Sequence, residues 1–289
     1  MKFVGIQQQI NSNNRNSVIL LILFPLLLIT VAVFITQSPE MAIMVLVACA
    51  IWFIIAYKIH SSLIHDQTGA VPLKRKDNSR VYNLLENLCI ARGIKMPQLM
   101  IIPDDSLNAY ASGISEETYT IALSRGIIEK LEDDELEGVI AHELSHIINR
   151  DVRLMIISII FVGIFAFIAE LMLRSMRFSG RRNKNDGPII LIAILVAVVA
   201  YFISILLKFA ISRKREFMAD ALASEMTKKP YALASALRKV SGDPFIEAVN
   251  NRDVAQLFMH NPKTKSSLFS LFSTHPPIEK RIAVLEQFV

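Results

Sequence analysis

The sequence predicts a mainly helical α+β integral membrane protein, with four transmembrane helices and a domain that contains a small β-sheet. Hydrophobic residues make up 53% of the 289 residues, and the mean hydropathy is +0.42. Four apolar stretches approach the roughly 20 residues that a helix needs to cross a bilayer. The remaining segments show helical and alternating patterns of apolar residues, which are typical of a water-exposed α+β domain.

The first two apolar stretches predict an N-terminal transmembrane hairpin over residues 1–57. Residues 18–36 and 41–57 contain no charged side chain and are separated by four residues. A cleaved signal peptide is the alternative for the first stretch. Its length, the presence of Pro25 and the lack of a small-residue cleavage site argue against that alternative.

The last two apolar stretches predict a second hairpin over residues 154–207. Residues 154–173 contain Glu170 as their only charge, and residues 188–207 contain none. Two buried core helices are the alternative, but a soluble helix normally shows a polar stripe that these stretches lack. The basic loop at 174–184 disagrees with strict alternation of the spans and leaves a re-entrant hairpin as an alternative.

Lysine and arginine residues indicate the orientation of the chain. They precede the first stretch, are absent from its short loop and collect after the second, so residues 58–153 are predicted to face the cytoplasm from a multi-pass protein of the cell membrane. The formal net charge is +5. Because the basic residues lie beside apolar runs, we expect a lipid bilayer as partner and no nucleic acid. The residues that set this orientation are Lys2, Arg15, Lys58, Lys74, Arg75, Lys76 and Arg80.

Residues 58–153 and 208–289 are predicted to form two parts of one domain. Asn78 or Ser79 is a candidate N-cap for a helix that Gly93 ends. The sequence Asp134-Glu135-Leu136-Glu137 has the spacing of a capping box and opens a later helix. Strands are predicted at 98–102, 107–112 and 118–123, and further helices near 213–226, 230–241 and 276–287.

The later helix carries the sequence His142-Glu143-Leu144-Ser145-His146. Histidines four residues apart lie one above the other on a helix face, so both can ligate one tetrahedral metal ion. Glu143 can then act as a general base toward the attacking water. Two surface histidines are the alternative, but the N-terminal cap and the amphipathic pattern of the helix favour a zinc site.

A catalytic zinc site needs three protein ligands and an open position. No further histidine motif follows closely, and the only two cysteines, Cys49 and Cys89, lie in apolar surroundings where neither a disulfide nor a cysteine zinc site is expected. Glu216 is the best candidate for the third ligand. Asp220, one helical turn later, is placed to orient a ligating histidine. A solvated acidic face that neutralises the basic residues 213–215 is the alternative.

The second predicted hairpin connects the two halves of this site, because an even number of crossings returns the chain to the same side of the membrane. His146 lies 8 residues before 154, and Glu216 lies 9 residues after 207. Each is therefore about 12 to 14 Å from the hydrocarbon edge if the helices run on at 1.5 Å per residue. The ligands are predicted to meet at a similar height.

Four motifs occur in a characteristic order. They are SLNAYASG at 106–113, LEGVIAHELSH at 136–146, SRKREFMAD at 212–220 and STHPPIEKR at 273–281. In these motifs, and over nearly its whole length, the sequence resembles the HtpX family of membrane-bound zinc metallopeptidases, which are related to the type I CAAX prenyl endopeptidases. The resemblance implies a zincin-like metallopeptidase domain that holds one Zn²⁺ per chain. The residues it implies are His142, His146 and Glu216 as zinc ligands and Glu143 as catalytic base.

The resemblance implies three further residues at the site. Asn108 is expected on an edge strand beside the cleft, where an extended substrate can pair with free backbone groups. His275 and Arg281 are expected near the metal as substrate or transition-state contacts, since either can stabilise an oxyanion. For His275, a capping role at a helix entry is the alternative.

The implied function is hydrolysis of peptide bonds in misfolded or damaged membrane proteins, within membrane protein quality control and stress response. A CAAX-type protease that trims prenylated peptides is one alternative, which the lack of additional spans disfavours. A non-catalytic zinc-binding membrane scaffold is another. The presence of Glu143 favours an enzyme, because a purely structural site would need a fourth ligand instead of a base.

Overall fold

The chain divides into two compact units. One unit comprises Met1–Ile10, His60–Arg153 and Ile211–Val289, and the other comprises Asn11–Ile59 and Leu154–Ala210. The computed structural model describes residues 6–36, 39–161, 163–164, 195, 198–199, 213–242 and 276–288. Most of the second predicted hairpin, its basic loop at 174–184 and His275 lie outside the described residues.

Two long helices, α1 (Ile6–Thr36) and α2 (Pro39–Thr68), include the first two apolar stretches. Large apolar side chains on them are exposed, among them Ile22, at 64% of its surface, and Ile43, at 62%. Among the described residues, none of the helices combines the length and the apolarity of a candidate membrane span.

A four-stranded sheet consists of β1 (Val71–Pro72), β2 (Gln98–Ile102), β3 (Ala109–Ser112) and β4 (Thr120–Ser124). Its strand order is β1-β2-β4-β3. Its β2 and β4 strands pair in parallel, whereas β1 with β2 and β3 with β4 pair antiparallel. The predicted strand at 98–102 is confirmed, whereas the strand predicted at 107–112 begins two residues later and the one predicted at 118–123 lies at 120–124. The short strand β1 was not predicted, since two residues are too few to show alternation.

Local hydrogen bonds set the ends of helix α3 (Ser79–Arg92). The Asn78 side chain accepts a hydrogen bond from the backbone N–H of Val81 at 3.1 Å. Gly93 ends the helix with φ of 63°, a left-handed conformation that glycine adopts at little cost. Both predicted caps are therefore confirmed. A short helix that was not predicted, α4 (Arg125–Lys130), follows β4 directly.

Helix α5 (Asp133–Ile148) begins one residue before the predicted capping box. The backbone N–H of Glu132 donates to Glu135 Oε2 at 2.9 Å, so the predicted box at Asp134 and Glu137 is wrong by two residues. The run of acidic residues offers several positions with the same spacing, and the structure uses the earlier one. Gly138 permits a close approach in this helix, because a Cβ there would lie 3.2 Å from Leu233 Cα.

Three further helices confirm the predicted helices of the C-terminal part. They are α6 (Arg213–Thr227), α7 (Pro230–Gly242) and α8 (Ile278–Leu285). Helices α6 and α7 pack against α5, and α8 packs against α6 and α7. Helix α5 also contacts α3 and strand β3. The domain is thus mainly helical with a small mixed sheet, as predicted, and α5 lies at its centre. A 3₁₀ turn at Glu286–Phe288 follows α8.

Candidate metal centre

Helix α5 presents His142 and His146 on one face, one turn apart. Their Nε2 atoms are 3.2 Å apart, and the two rings meet edge to face with 4.8 Å between centroids. His142 is buried, and the side chain of His146 is 15% exposed. The helical repeat thus brings two ring nitrogens to one point, as the spacing predicted.

Glu216 reaches the same point from the first turn of α6. Its Oε2 lies 3.7 Å from His142 Nε2, and its Oε1 lies 3.6 Å from His146 Nε2. Ligand atoms about 2.0 to 2.1 Å from a tetrahedral ion are about 3.3 to 3.4 Å from one another. These three side chains can therefore hold a metal ion with only small adjustments.

Asp220 contacts the Nδ1 side of the His142 ring and is itself paired with Arg281. His142 Nδ1 lies 3.0 Å from Asp220 Oδ1. Arg281, on α8, donates from Nε to Asp220 Oδ2 at 2.9 Å and from Nη2 to Asp220 Oδ1 at 2.6 Å. Its Nη1 lies 3.3 Å from Glu216 Oε2. A carboxylate on Nδ1 fixes the ring orientation and leaves the Nε2 lone pair for a metal.

Burial and neighbouring charge control the protonation of this half of the site. Burial, followed by the charge of Arg281, lowers the pKa of His142 to about 4, so the imidazole is neutral near pH 7. Burial would raise the pKa of Asp220, but Arg281 and His142 outweigh burial and lower it. The carboxylate therefore stays ionised beside a neutral ligating ring.

The second histidine has a carboxylate of its own. His146 Nδ1 lies 3.2 Å from Asp151 Oδ2. Burial alone would lower the pKa of His146, but the hydrogen bond to Asp151 and the charges of Glu216 and Glu143 raise it to about 9. Asp151 was not predicted from the sequence. The only available signal was an acidic residue just beyond the C-terminal end of α5.

The remaining predicted residues occupy different surroundings. Glu143 is buried beside His142 on α5. Asn108 precedes the edge strand β3 and is buried, with its Oδ1 accepting from the Ala109 N–H at 2.9 Å. Arg281 has no exposed surface. His275 lies outside the described residues.

Comparisons with known proteins agree with this geometry. A model of peptidase family M48 matches residues 75–289. The chain is 56% identical to a protease HtpX homolog of Bacteroides fragilis, covering all of both chains. It is 37% identical to a protease HtpX homolog of Dictyoglomus thermophilum, covering 98% of this chain and 94% of that protein.

The crystal structure of S. mikatae Ste24p shares the fold, with a TM-score of 0.54 and 20% identity. The similarity covers 90% of this chain and 60% of that one, so the chain spans less than two thirds of the solved structure. The family match covers most of the chain and includes all three clustered side chains. The chain therefore belongs to peptidase family M48, a family of metallopeptidases.

Proposed function

We infer that this metalloprotease is a zinc endopeptidase of the cell membrane that cleaves misfolded or damaged membrane proteins and unfolded polypeptides. One observation carries the proposal. His142, His146 and Glu216 converge from two helices with 3.2 to 3.7 Å between their ligand atoms. Three protein ligands, of which one is a carboxylate, are typical of catalytic zinc sites in peptidases.

The ligand set also fits zinc chemically. His142 is neutral near pH 7 and offers Nε2, because its Nδ1 faces Asp220. Glu216 offers a carboxylate, a common partner of two imidazoles on zinc. When bound, zinc supplies a Lewis acid for the scissile carbonyl and makes water a stronger nucleophile at neutral pH.

Glu143 supplies the proton transfers in this mechanism. It follows His142 directly on α5 and is buried at the same end of the helix. Its carboxylate accepts a proton from the attacking water and then donates that proton to the leaving amine nitrogen. The proton balance closes, because the same side chain returns to its starting state.

The other residues implied by the resemblance support the reaction in two ways. We assign substrate binding to the free edge of β3, whose first residue follows Asn108, because an extended peptide can add a strand there. The burial of Arg281 and its bidentate bond to Asp220 favour a role in holding the ligands over direct contact with substrate. His275 is retained as a candidate for oxyanion stabilisation.

A membrane location is part of the proposal. We propose that residues 1–57 and 154–207 form two transmembrane hairpins. Residues 58–153 and 208–289 then form a metallopeptidase domain that faces the cytoplasm. Exposed aliphatic side chains on α1 and α2, such as Ile22 and Ile43, support it, because apolar surface of this extent needs an apolar surrounding.

Glu143→Gln tests the enzyme, with Glu137→Gln as matched control on the same helix. The detergent-purified Glu143→Gln protein should retain one zinc per chain and cleave β-casein about 10²- to 10⁴-fold more slowly, the usual contribution of a general base. Glu137 pairs with Lys229, so its variant should cleave at the wild-type rate.

Full activity of Glu143→Gln would exclude this mechanism. A wild-type protein that binds zinc but cleaves no polypeptide would favour the scaffold alternative. Cleavage of a prenylated peptide but not of its unprenylated counterpart would favour the CAAX-type alternative.

A further inference from the structure

Asp151, which contacts His146, lies outside every motif that predicted the site. Asp151 Oδ2 lies 3.2 Å from His146 Nδ1. The other ring nitrogen, Nε2, is the one that lies near the ligand atoms of His142 and Glu216. Asp151 is 5% exposed, so this contact is sheltered from water. A sheltered carboxylate on Nδ1 restricts ring rotation and, once a metal has displaced the proton from Nε2, keeps the remaining proton on Nδ1.

The backbone before Asp151 makes the contact. Arg150 has φ of 58°, a left-handed conformation that is uncommon for residues other than glycine. Helix α5 has just ended, with the Arg150 N–H bonded to Ile147 O at 3.0 Å. This turn at the end of α5 precedes Asp151 and places its carboxylate beside a histidine five residues earlier.

Arg215 extends this contact to the other half of the site. Its Nε lies 3.5 Å from Asp151 Oδ1, and its side chain is 9% exposed. Arg215 directly precedes the ligand Glu216 on α6. The ion pair therefore connects the segment that follows the histidines with the segment that carries the third ligand.

The contacts of His146 with Asp151 and of Asp151 with Arg215 parallel the arrangement at His142. There, Arg281 pairs with Asp220, which contacts His142 Nδ1 at 3.0 Å. Each histidine thus has its own aspartate, and each aspartate has its own arginine. The arginine of the first set comes from α8, whereas Arg215 comes from α6, so the two arginines are supplied by different helices.

We propose that Asp151 is a positioning residue for His146 and that Arg215 holds Asp151 in place, so that the second histidine, like the first, is oriented for metal. This inference rests on the proposed zinc site. It assigns no direct contact with substrate to either residue. Its expected consequence is tighter metal binding and a more regular ligand geometry, since partners of ligating histidines typically affect metal affinity by about 10- to 100-fold.

The test measures zinc affinity of the full-length protein in detergent, by competition with a chromogenic chelator, and the visible absorption of the Co²⁺-loaded protein. Asp151→Ala should weaken zinc binding by about 10- to 100-fold and reduce the intensity of the tetrahedral Co²⁺ bands. Asp151→Asn should show a smaller loss, since the amide oxygen still accepts from Nδ1. Asp133→Ala, which removes an exposed carboxylate at the other end of α5, should leave both readouts unchanged.

Circular dichroism and thermal unfolding without metal establish that each variant is folded. If Asp151→Ala does not fold, the zinc affinity and Co²⁺ spectrum of the isosteric Asp151→Asn variant test the inference. Wild-type affinity and an unchanged Co²⁺ spectrum in the folded variants would overturn the inference while leaving the zinc site intact. Absence of zinc binding by the wild type, or wild-type affinity in His146→Ala, would instead overturn the proposed function.

Discussion

At the N-terminal end of α5, carboxylates pair with lysines that reach solvent, whereas at its C-terminal end the paired charges are almost fully buried. Glu135 accepts from Lys239 Nζ at 2.6 Å, and the Lys239 side chain is 40% exposed. Asp220, which faces His142, pairs with an arginine that has no exposed surface. Pairs of a carboxylate with a basic side chain thus join two helices at one end and arrange ligands at the other. Burial, which strengthens electrostatic interactions, makes the difference.

The largest effect is expected at the C-terminal end of α5, where the paired charges are buried. Glu216→Ala removes one of three ligands, so we expect loss of stoichiometric zinc and a fall in β-casein cleavage of about 10³-fold or more, equivalent to about 4 kcal/mol. Glu225→Ala, on the same helix, is the control, because its exposed carboxylate pairs with Arg92. Metal analysis and initial rates measure both. Zinc retained at one per chain in Glu216→Ala would contradict the ligand assignment.

Arg281→Met tests whether a buried ion pair contributes more to the free energy of unfolding than an exposed one. It leaves Asp220 and Glu216 without their guanidinium, and an uncompensated buried charge costs about 3 to 5 kcal/mol. The control is Arg238→Met, whose partner Glu286 is half exposed, and which should cost about 0 to 1 kcal/mol. Denaturant unfolding in detergent, without added metal, gives both free energies. Equal losses would show that burial does not set the difference.

Glu135→Gln probes the N-terminal end and its pH dependence. Burial would raise the pKa of Glu135, but the hydrogen bonds from Lys239, Ser235 and the Glu132 N–H outweigh burial and lower it below its ordinary value of 4.5. The ionised form therefore stabilises the fold at neutral pH, by about 1 to 2 kcal/mol. Because the folded pKa is the lower one, this stabilisation is lost as the pH falls through it.

Unfolding of the wild type and of Glu135→Gln at several pH values tests this direction of the pH dependence. The difference in unfolding free energy should be largest near pH 7 and should shrink below pH 4.5. A difference that grows on acidification would contradict the assignment.

The smallest effect is expected at Lys229. Its Nζ lies 2.7 Å from Asp134 Oδ1 and 3.1 Å from Glu137 Oε2, with a third of the side chain exposed. Lys229→Met should therefore cost about 0 to 1 kcal/mol, and the loss should diminish at high salt. Thermal unfolding at low and high salt measures it. A loss as large as that of Arg281→Met would remove the contrast between the two ends of the helix.

Local patterns predicted the elements that depend on local interactions. The strand at 98–102 was predicted with its correct bounds, and Asn78 and Gly93 were predicted as caps, because side-chain alternation and capping involve neighbouring residues. The start of α5 was misplaced because adjacent acidic residues make several capping registers equivalent.

Interactions between distant segments were predicted only in part. Asp220 was found because it lies one turn from a candidate ligand on the same helix. Asp151 was missed because its approach to His146 depends on the left-handed backbone of Arg150. Asn149, directly before Arg150, is a residue type that often adopts a left-handed conformation, but it ends α5 in the right-handed conformation and Arg150 adopts the left-handed one instead.

The sequence by itself determined that His142 and His146 share one helix face, because a spacing of four residues is close to the 3.6-residue helical repeat. It also indicated Glu216 as a partner through its residue type and motif. Only the tertiary structure decided that Glu216 Oε1 reaches His146 Nε2 to within 3.6 Å and that Asp151 and Arg281 support the ligands. The physical reason is that these contacts require α6 and α8 to pack around α5, and packing depends on side chains far apart in the chain.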